Sequence, residues 1–408
     1  MTDLITPPED SLVNAVKQLK IDFPEYGIKK IAAKLAEKEP KWAVSEKRVK
    51  KVMQAQGLTQ TEPVVKKSGV EDDPSVPVSY IDPTLDIASI SPNIVAKMVD
   101  RVTGKGLFAA RDIAKDEIIF QELPFAYFPS WEGFSMARQG NACGMCVKPL
   151  LRSSVLSIHC SHCNLTYCSK ACRSHAWETF HPLECTHLNP AIRPFLNFCE
   201  GESWSAPMAV ARMYAHIILA NQRGELDTVL AHYDAFATVN QAERQAKETE
   251  WIFMEHPTRE LWAKARSLLA KAYNPPAKKC KITKPLPEDL AKKLFEDEDT
   301  FLNYLGKFNI NNQSGGMYMV QSHINHSCSP NVCIEFPGQT QYKLAVRAVR
   351  DLRKGEQLFE TYVNPRWNKE TRVNYLNKSY MFQCKCPRCE SDGPLTAELR
   401  AGLRLRDE

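Results

Sequence analysis

Fourteen cysteines punctuate this 408-residue chain, and their spacing is the first feature able to do chemistry. Seven fall between Cys143 and Cys185, and three more between Cys384 and Cys389. Cys143 and Cys146 are separated by two residues, as are Cys160 and Cys163; Cys168 and Cys172 follow, and His181 and Cys185 close the run. Paired ligands on tight turns suit tetrahedral zinc, because each pair supplies two of four ligands with little loop to order. Eight ligands make two closed sites without an open coordination position, so this stretch is structural or protein-binding rather than catalytic. Metal would supply much of its folding free energy, on the order of 10 kcal/mol per zinc, because so short a segment buries little apolar surface. Cys384, Cys386 and Cys389 want a fourth ligand, and Cys328 is the nearest unusual candidate. Closing a third site with Cys328 ties the C-terminal segment to the loop around Asn325 and builds one wall of a pocket. Cys199, Cys280 and Cys333 match no ligand position and read as ordinary buried or loop thiols.

Three further segments carry polar chemistry. Gly104, Lys105 and Gly106 put two small residues where backbone can approach a ligand closely. The stretch from Asn325 and His326 to Asn331 joins ligand-fixing amide and imidazole groups to the metal-binding thiol of Cys328. Gly355 and Glu356 lead through a strand-like run to Tyr362.

The elements that must position these groups are of mixed type. With 43% hydrophobic and 25% charged side chains the chain has enough core for two to four domains, which excludes collagen, mucin and fully disordered readings. Residues 11–58 read as three short helices, with Leu12, Val16 and Leu19 at helical spacing, Phe23 and Pro24 as a stop, Ser45 as an N-cap and Gly57 as a C-terminal stop. That spacing resembles a helix-turn-helix module. Lys47, Arg48, Lys50 and Lys51 could contact phosphates, but eight acidic residues dilute eleven basic ones in the first 60, which favours a solvated face of a small protein-binding or structural domain. Residues 59–89 have the proline-rich, aperiodic composition of a flexible linker. From residue 90 the pattern turns to strands, with an alternating segment at 116–123. It becomes mostly helical over 190–303, with amphipathic runs at 207–222 and 248–273 and a basic loop of Lys278, Lys279, Lys281 and Lys284, and returns to strands at 318–321, 332–336 and 342–348. No signal-peptide pattern opens the chain, and the apolar run 208–220, interrupted by Arg212 and His216, is shorter than the about 20 residues a bilayer span needs. The expectation is a soluble intracellular protein in a reducing compartment, where clustered cysteines bind metal. A net charge of +5 is too mild to argue for nucleic acid by itself.

Taken together, Gly104-x-Gly106, the 325–331 stretch, Gly355-Glu356 leading to Tyr362, and Cys384-x-Cys386-x-x-Cys389 resemble the SET domain and its post-SET zinc segment. The ligand order of the first cluster resembles a MYND zinc finger, so the chain looks like a SET and MYND domain protein lysine methyltransferase over roughly residues 90–392. The fold implied is α+β: a SET β-fold of several small sheets with an inserted MYND-like zinc finger and a helical insert, a post-SET zinc segment, and a separate N-terminal helical module. The corresponding boundaries are 11–58 (helical module), 59–89 (linker), 90–135 (SET N-terminal part), 143–185 (MYND-like finger), 190–303 (helical insert), 304–365 (SET C-terminal part) and 366–392 (post-SET segment). Ending at Glu408, the chain is similar to the branch that lacks a C-terminal helical repeat region, which contains fungal histone lysine methyltransferases.

That resemblance implies transfer of a methyl group from S-adenosylmethionine to a protein lysine, with three zinc ions. It assigns Cys143, Cys146, Cys168 and Cys172 to one zinc and Cys160, Cys163, His181 and Cys185 to another. His159, His162 and His175 are rivals for the single imidazole position, and the thirteen-residue gap between Cys146 and Cys160 is longer than usual in that family. Gly104, Lys105 and Gly106 border the cofactor's methionine end, Asn325 and His326 anchor it by side-chain and backbone hydrogen bonds, and Phe382 stacks on adenine. Tyr362 is the catalytic tyrosine and Tyr380 a second one lining the lysine channel. Leu107 and Phe108 stand where the family usually has a larger or arginine-bearing sequence, which changes packing beside the cofactor but removes no essential group.

The substrate expected is a histone tail, histone four foremost, with a role in chromatin regulation in nucleus and cytoplasm. A ribosomal or other non-histone protein is the alternative substrate. Two other classes stand beside the enzyme: a zinc-dependent adaptor whose finger holds a peptide partner, and a DNA-binding regulator resting only on residues 11–58. Each residue also has a plainer role, Tyr362 as core aromatic, Asn325 as turn cap, His326 as buried histidine and Phe382 as core. No membrane partner is expected.

Overall fold

A computed structural model describes residues 5–23, 26, 28–56, 77–100, 103–150, 158–247, 258–274, 283–338, 340–391 and six positions between 393 and 403. The chain divides into two compact units, Met1–Asp73 and Pro74–Glu408.

In the first unit, helices Glu9–Asp22, Ile28–Lys38 and Glu46–Ala55 close over Leu12, Val16, Leu19, Ile31, Leu35, Val49, Val52 and Met53. Ser45 caps the third helix, its Oγ accepting from the Arg48 N–H at 3.3 Å. Arg48 is spent inside the unit on Glu9 (2.9 Å) and the Pro7 carbonyl (3.0 Å), whereas Lys47, Lys50 and Lys51 are exposed. Pro24 and Gly57, the two expected stops, lie outside the described residues.

The second unit combines small sheets with a helical body. Strands β1 (Ile94–Asp100) and β2 (Gly104–Ala109) form an antiparallel hairpin. Strand β3 (Ile118–Glu122) pairs antiparallel with β10 (Leu344–Ala348), which pairs in turn with β9 (Val332–Glu335). Being central, β10 is buried at every position. Its Arg347 is tolerated there because Asp116 (2.7 Å) and Glu335 (2.8 Å) neutralise it. Three two-stranded pairs complete the sheets: β4 (Ala126–Tyr127) with β7 (Gly316–Met317), β5 (Ile158–His159) with β6 (Thr166–Tyr167), and β8 (Asn325–His326) parallel to β11 (Phe359–Glu360). Leu107, Ile119, Phe120, Val332, Leu344, Val346 and Leu358 fill the core beneath them.

Helices Arg193–Gly201, Ala206–Arg223, Leu226–Asp234, Gln241–Lys247, Arg259–Tyr273, Glu288–Phe295 and Glu298–Asn311 build the body. The run expected to be amphipathic at 207–222 is instead buried on every face from Pro207 to Ala220. Arg212 survives burial by a bidentate pair with Glu184 (2.8 and 2.9 Å), a bond to the Tyr127 carbonyl (2.9 Å) and stacking 3.8 Å from the Phe180 ring centroid. His216 is hydrogen-bonded to the Tyr233 hydroxyl at 3.1 Å. Gly224, at φ +76°, ends this helix with its N–H on the Ala220 carbonyl.

Two other expectations change. Residues 318–321 form no strand: the chain turns after β7 into a single 3-10 turn, Gln321–His323, because the Glu122 carboxylate captures the N–H groups of Val320 (2.9 Å) and Gln321 (3.1 Å). The linker reading fails over 77–89. Val78 bridges Thr238, Asp82 is buried against His232 and Thr84, and Ile87–Ile90 forms a helical turn. The remainder of that segment, the helical reading over 248–257, the basic residues Lys278, Lys279 and Lys281, and Cys280 lie outside the described residues. No helix among the described residues is long and apolar enough to cross a membrane.

Candidate functional site

The sulfur clusters come together in three groups. Cys143, Cys146, Cys168 and Cys172 form one, Cys160, Cys163, His181 and Cys185 a second, and Cys328, Cys384, Cys386 and Cys389 a third; in each, the ligand atoms lie within 4.8 Å of one another. A zinc tetrahedron with Zn–S bonds near 2.3 Å has sulfur–sulfur edges of about 3.8 Å. Observed separations are 3.6 Å for Cys146–Cys168, 3.5 Å for Cys168–Cys172 and 3.5 Å for Cys328–Cys389, so the donor sets fit zinc. His181 Nε2 stands 3.1 Å from Cys160 Sγ and 3.7 Å from Cys163 Sγ, and burial drops its pKa to about 4, which keeps the imidazole neutral as a ligand must be. The rival histidines point elsewhere. His159 bonds Thr166 Oγ1 (3.1 Å), His162 stacks on Trp177, and His175 lines a pocket with Phe125 and His216. Cys199 is fully buried and Cys333 half-buried, with its Sγ 3.9 Å from Glu335.

The three separated polar segments also meet. Parallel pairing sets Phe359 opposite Asn325 and Glu360 opposite His326. Asn331, buried, drives that pairing: its Oδ1 accepts from the Phe359 N–H (2.7 Å) and its Nδ2 donates to the Gln357 carbonyl (2.8 Å). Asn325 Nδ2 donates to the Lys105 carbonyl at 2.9 Å, joining β8 to β2, and the Leu358 N–H reaches the Leu107 carbonyl at 2.8 Å. Gly104 sits at φ +73° and a Cβ there would lie 2.5 Å from Ser79 Oγ; at Gly106 a Cβ would meet Gln357 Nε2 and Val99 Cγ2 at 2.8 Å. The left-handed backbone favours glycine at 104, and close packing against Gln357 and Val99 favours it at 106.

Around Tyr362 the walls are aromatic. Its ring centroid lies 4.8 Å from that of Tyr380 and 5.3 Å from that of His326, and Phe382 is 5.9 Å from His326. The Tyr362 hydroxyl donates to the Ile324 carbonyl at 2.7 Å. His326 uses both ring nitrogens on protein: Nδ1 accepts from the Tyr362 N–H (3.0 Å) and Nε2 faces Cys328 Sγ (3.3 Å). Its imidazole thus links a thiolate cluster to the tyrosine backbone, leaving only its main chain for a ligand.

Burial governs the electrostatics. It holds Tyr362 and Tyr380 well above the ordinary phenol range, so both stay protonated and neither serves as a base near neutrality. It lowers Lys105 to about 7, and it raises Glu360, whose carboxyl is bonded by Gln321 Nε2, to about 8. Glu360 has no role in the sequence reading, and Asn331 enters it only as the end of the 325–331 stretch. The available signal for Glu360 is a carboxylate directly after the apolar pair Leu358–Phe359, within the strand-like run to Tyr362.

Glu360 carries a pH signature. Its pKa is higher in the fold than the ordinary 4.5, so the folded chain binds the extra proton and this group's contribution to stability falls as pH rises from about 4.5 to 8. Urea midpoints taken across that range should decline more steeply for the unaltered chain than for Glu360→Gln. Parallel curves would mean that the carboxylate is ionised in the fold.

Comparison with known proteins decides the family. The SET domain profile matches residues 104–363, from the first glycine of β2 to the residue after Tyr362. The chain belongs to the SET domain family. Among curated relatives, Histone-lysine N-methyltransferase SET5 of Yarrowia lipolytica is 33% identical over 86% of this chain and 74% of its own length. The protein of the same name from Mycosarcoma maydis is 29% identical over 79% of this chain and 72% of its own. A crystal structure of the SET domain of LSMT bound to lysine and AdoHcy is similar at a TM-score of 0.31 and 13% identity, covering 72% of this chain and 53% of that one. The SET match encloses both the first two thiolate clusters and the helical body, which lie in the chain between its early and late strands.

Proposed function

We infer that this chain is a protein-lysine N-methyltransferase that uses S-adenosylmethionine, with histone tails as substrate and histone four as the favoured one. The observation carrying the reading is the enclosure of the Tyr362 hydroxyl, bonded to the Ile324 carbonyl and walled by Tyr380 and His326, directly beside the Asn325-to-Lys105 junction. Membership of the SET family and relatives named as histone-lysine methyltransferases support it.

When bound, the cofactor supplies an electrophilic methyl group on a sulfonium. The chain's own residues provide the rest. A lysine amine, with an ordinary pKa near 10.4, has to arrive neutral, and aromatic walls disfavour its ammonium form by excluding water. Glu360 lies next to that wall, and as a neutral acid it does not hold the ammonium in place. Tyr362 and the carbonyl it bonds fix the amine's direction by hydrogen bonding. Lys105, Gly104, Gly106, Asn325, the His326 main chain and Phe382 are assigned to the cofactor. Residues 143–185 form a MYND-like finger that holds two zinc ions and offers a surface to a peptide partner, and 366–392 form a post-SET segment with the third. The first unit is a helical, protein-binding module in this reading. A chromatin substrate puts the protein in the nucleus, and a ribosomal or other non-histone substrate would put it in the cytoplasm.

Incubating the purified chain with labelled S-adenosylmethionine and separated histones should label one histone, and mass spectrometry should map the lysine. Label appearing only on a non-histone protein of cell extract would remove the histone assignment. No label on any protein, with the cofactor bound, would favour an adaptor.

A further inference from the structure

Two side chains assigned to different parts of the site, Tyr380 on the lysine channel and Phe382 on the cofactor, flank a single residue, Met381. Tyr380 ends the helix Lys369–Tyr380, and Met381 stops it at φ +65°, a left-handed conformation that a residue with a Cβ rarely adopts. The Met381 side chain is 5% exposed, so its burial helps to hold the bend. Any shift of this bend displaces both rings. Tyr380 lies 4.8 Å from Tyr362, and Phe382 lies 5.9 Å from His326, centroid to centroid.

The bend is tied on two sides. Following it, Cys384 joins the third thiolate group. Preceding it, the helix ends in carbonyls that no further turn of its own can satisfy. Arg244, buried in the helical body, donates from Nε to the Ser379 carbonyl at 2.9 Å, across 135 residues of chain. A cation at a helix C-terminus also suits the helix dipole. The platform behind Arg244 is firm. Asn240 Oδ1 accepts from the Ala242 N–H (2.9 Å) at the start of the helix Gln241–Lys247, and Gln241 Oε1 accepts from Asn309 Nδ2 (2.8 Å). A Cβ on Gly306 would collide with the Val239 carbonyl, so the chain leading into that helix packs directly on the helix Glu298–Asn311.

We propose that Arg244 is a positioning residue for methyl transfer: through the Ser379 carbonyl it fixes the 379–382 bend, so that the helical body, together with the third thiolate group, sets where Tyr380 and Phe382 stand. The inference rests on the methyltransferase reading and adds to it a residue assigned to neither substrate nor cofactor. Because one bend carries both rings, the amine's approach and the cofactor's seat are coupled through this hydrogen bond. A misplacement of about 1 Å at reacting groups can cost on the order of 10²-fold in rate, so a modest loosening of the bend is enough to slow transfer.

Two variants of the full chain separate the bond from the packing. In Arg244→Gln the amide nitrogen takes the place of Nε and keeps a donor there, whereas Arg244→Met fills similar space without one. With separated histones and labelled S-adenosylmethionine, Arg244→Met should lower kcat/KM by about tenfold, the loss divided between kcat, through Tyr380, and the cofactor KM, through Phe382. Its zinc content should hold, and amide hydrogen exchange should speed up over 377–383 without spreading through the second unit. Arg244→Gln should recover most of the rate. Lost zinc or faster exchange throughout the unit in Arg244→Met would make Arg244 a general packing residue and end the assignment. Equal losses in both variants would remove the Ser379 bond from the argument, and faster exchange at the bend with an unchanged rate would detach the bend from catalysis. An unaltered chain that transfers no methyl would overturn the methyltransferase reading itself, and the positioning role with it.

Discussion

Replacing Tyr362 with phenylalanine should lower methyl transfer by about 10²–10³-fold, the scale of losing one pre-placed hydrogen-bonding group, while cofactor affinity and metal content hold. The ring stays. Its packing on Tyr380 at 4.8 Å and His326 at 5.3 Å, and the Tyr362 N–H bond to His326 Nδ1, involve nothing that phenylalanine lacks. Only the 2.7 Å bond to the Ile324 carbonyl goes, worth about 0.5–1.5 kcal/mol of stability. Single-turnover rates with labelled S-adenosylmethionine, read beside thermal unfolding and elemental analysis, separate the outcomes. A variant that loses zinc or unfolds would make the hydroxyl structural. One that transfers methyl at the original rate would take Tyr362 out of the chemistry.

The second large effect concerns the metal. The purified chain should carry three zinc ions, and Cys328→Ser should carry two, with transfer abolished and the two remaining clusters intact. Cys328 reaches its partners across more than fifty residues, at 4.0 Å from Cys384 and 3.5 Å from Cys389. Buried Arg388 donates to the Cys328 carbonyl (3.1 Å), and buried Arg372 reaches Cys389 Sγ (4.0 Å), so two cations offset the excess negative charge of a four-thiolate zinc. Removing a ligand forfeits much of a binding free energy on the order of 10 kcal/mol, more than the small cluster of Val363, Leu376 and the buried cysteines replaces. Because His326 spans Cys328 and Tyr362, the damage reaches the tyrosine. Two zinc ions in the unaltered chain would exclude Cys328 as a ligand.

How far the sequence could be read depended on the range of the interaction. Ligand spacing is local, so the pairs Cys143–Cys146, Cys160–Cys163 and Cys168–Cys172 are legible as pairs, whereas which pairs share a site, and His181 over its three rivals, follow only from the resemblance, and Cys328 lies 56 residues from Cys384. Leu12, Val16 and Leu19 announced a helix because their periodicity is a property of neighbours. Where tertiary contacts decide, the pattern misled. Nothing local says that Arg212 meets Glu184, so a wholly buried helix read as half-exposed. Tyr318 and Val320 look like strand residues until Glu122, 198 positions earlier, takes the Val320 N–H. The same holds for Asp82, whose partner His232 is 150 residues away.

The pairing of β3 with β10 joins Ile118 to Arg347, two ends of a long excursion through metal-binding and helical insertions. During synthesis at about 5–20 residues per second, β3 leaves the ribosome some 10–45 s before its neighbour exists. Through that interval the Ile118–Glu122 edge, with Ile119 and Phe120, lies open to strands of other chains. A protein so arranged should depend on chaperones at birth, and zinc supplied early, while only the inserted ligands have emerged, would fold the middle of the molecule before its two halves can meet.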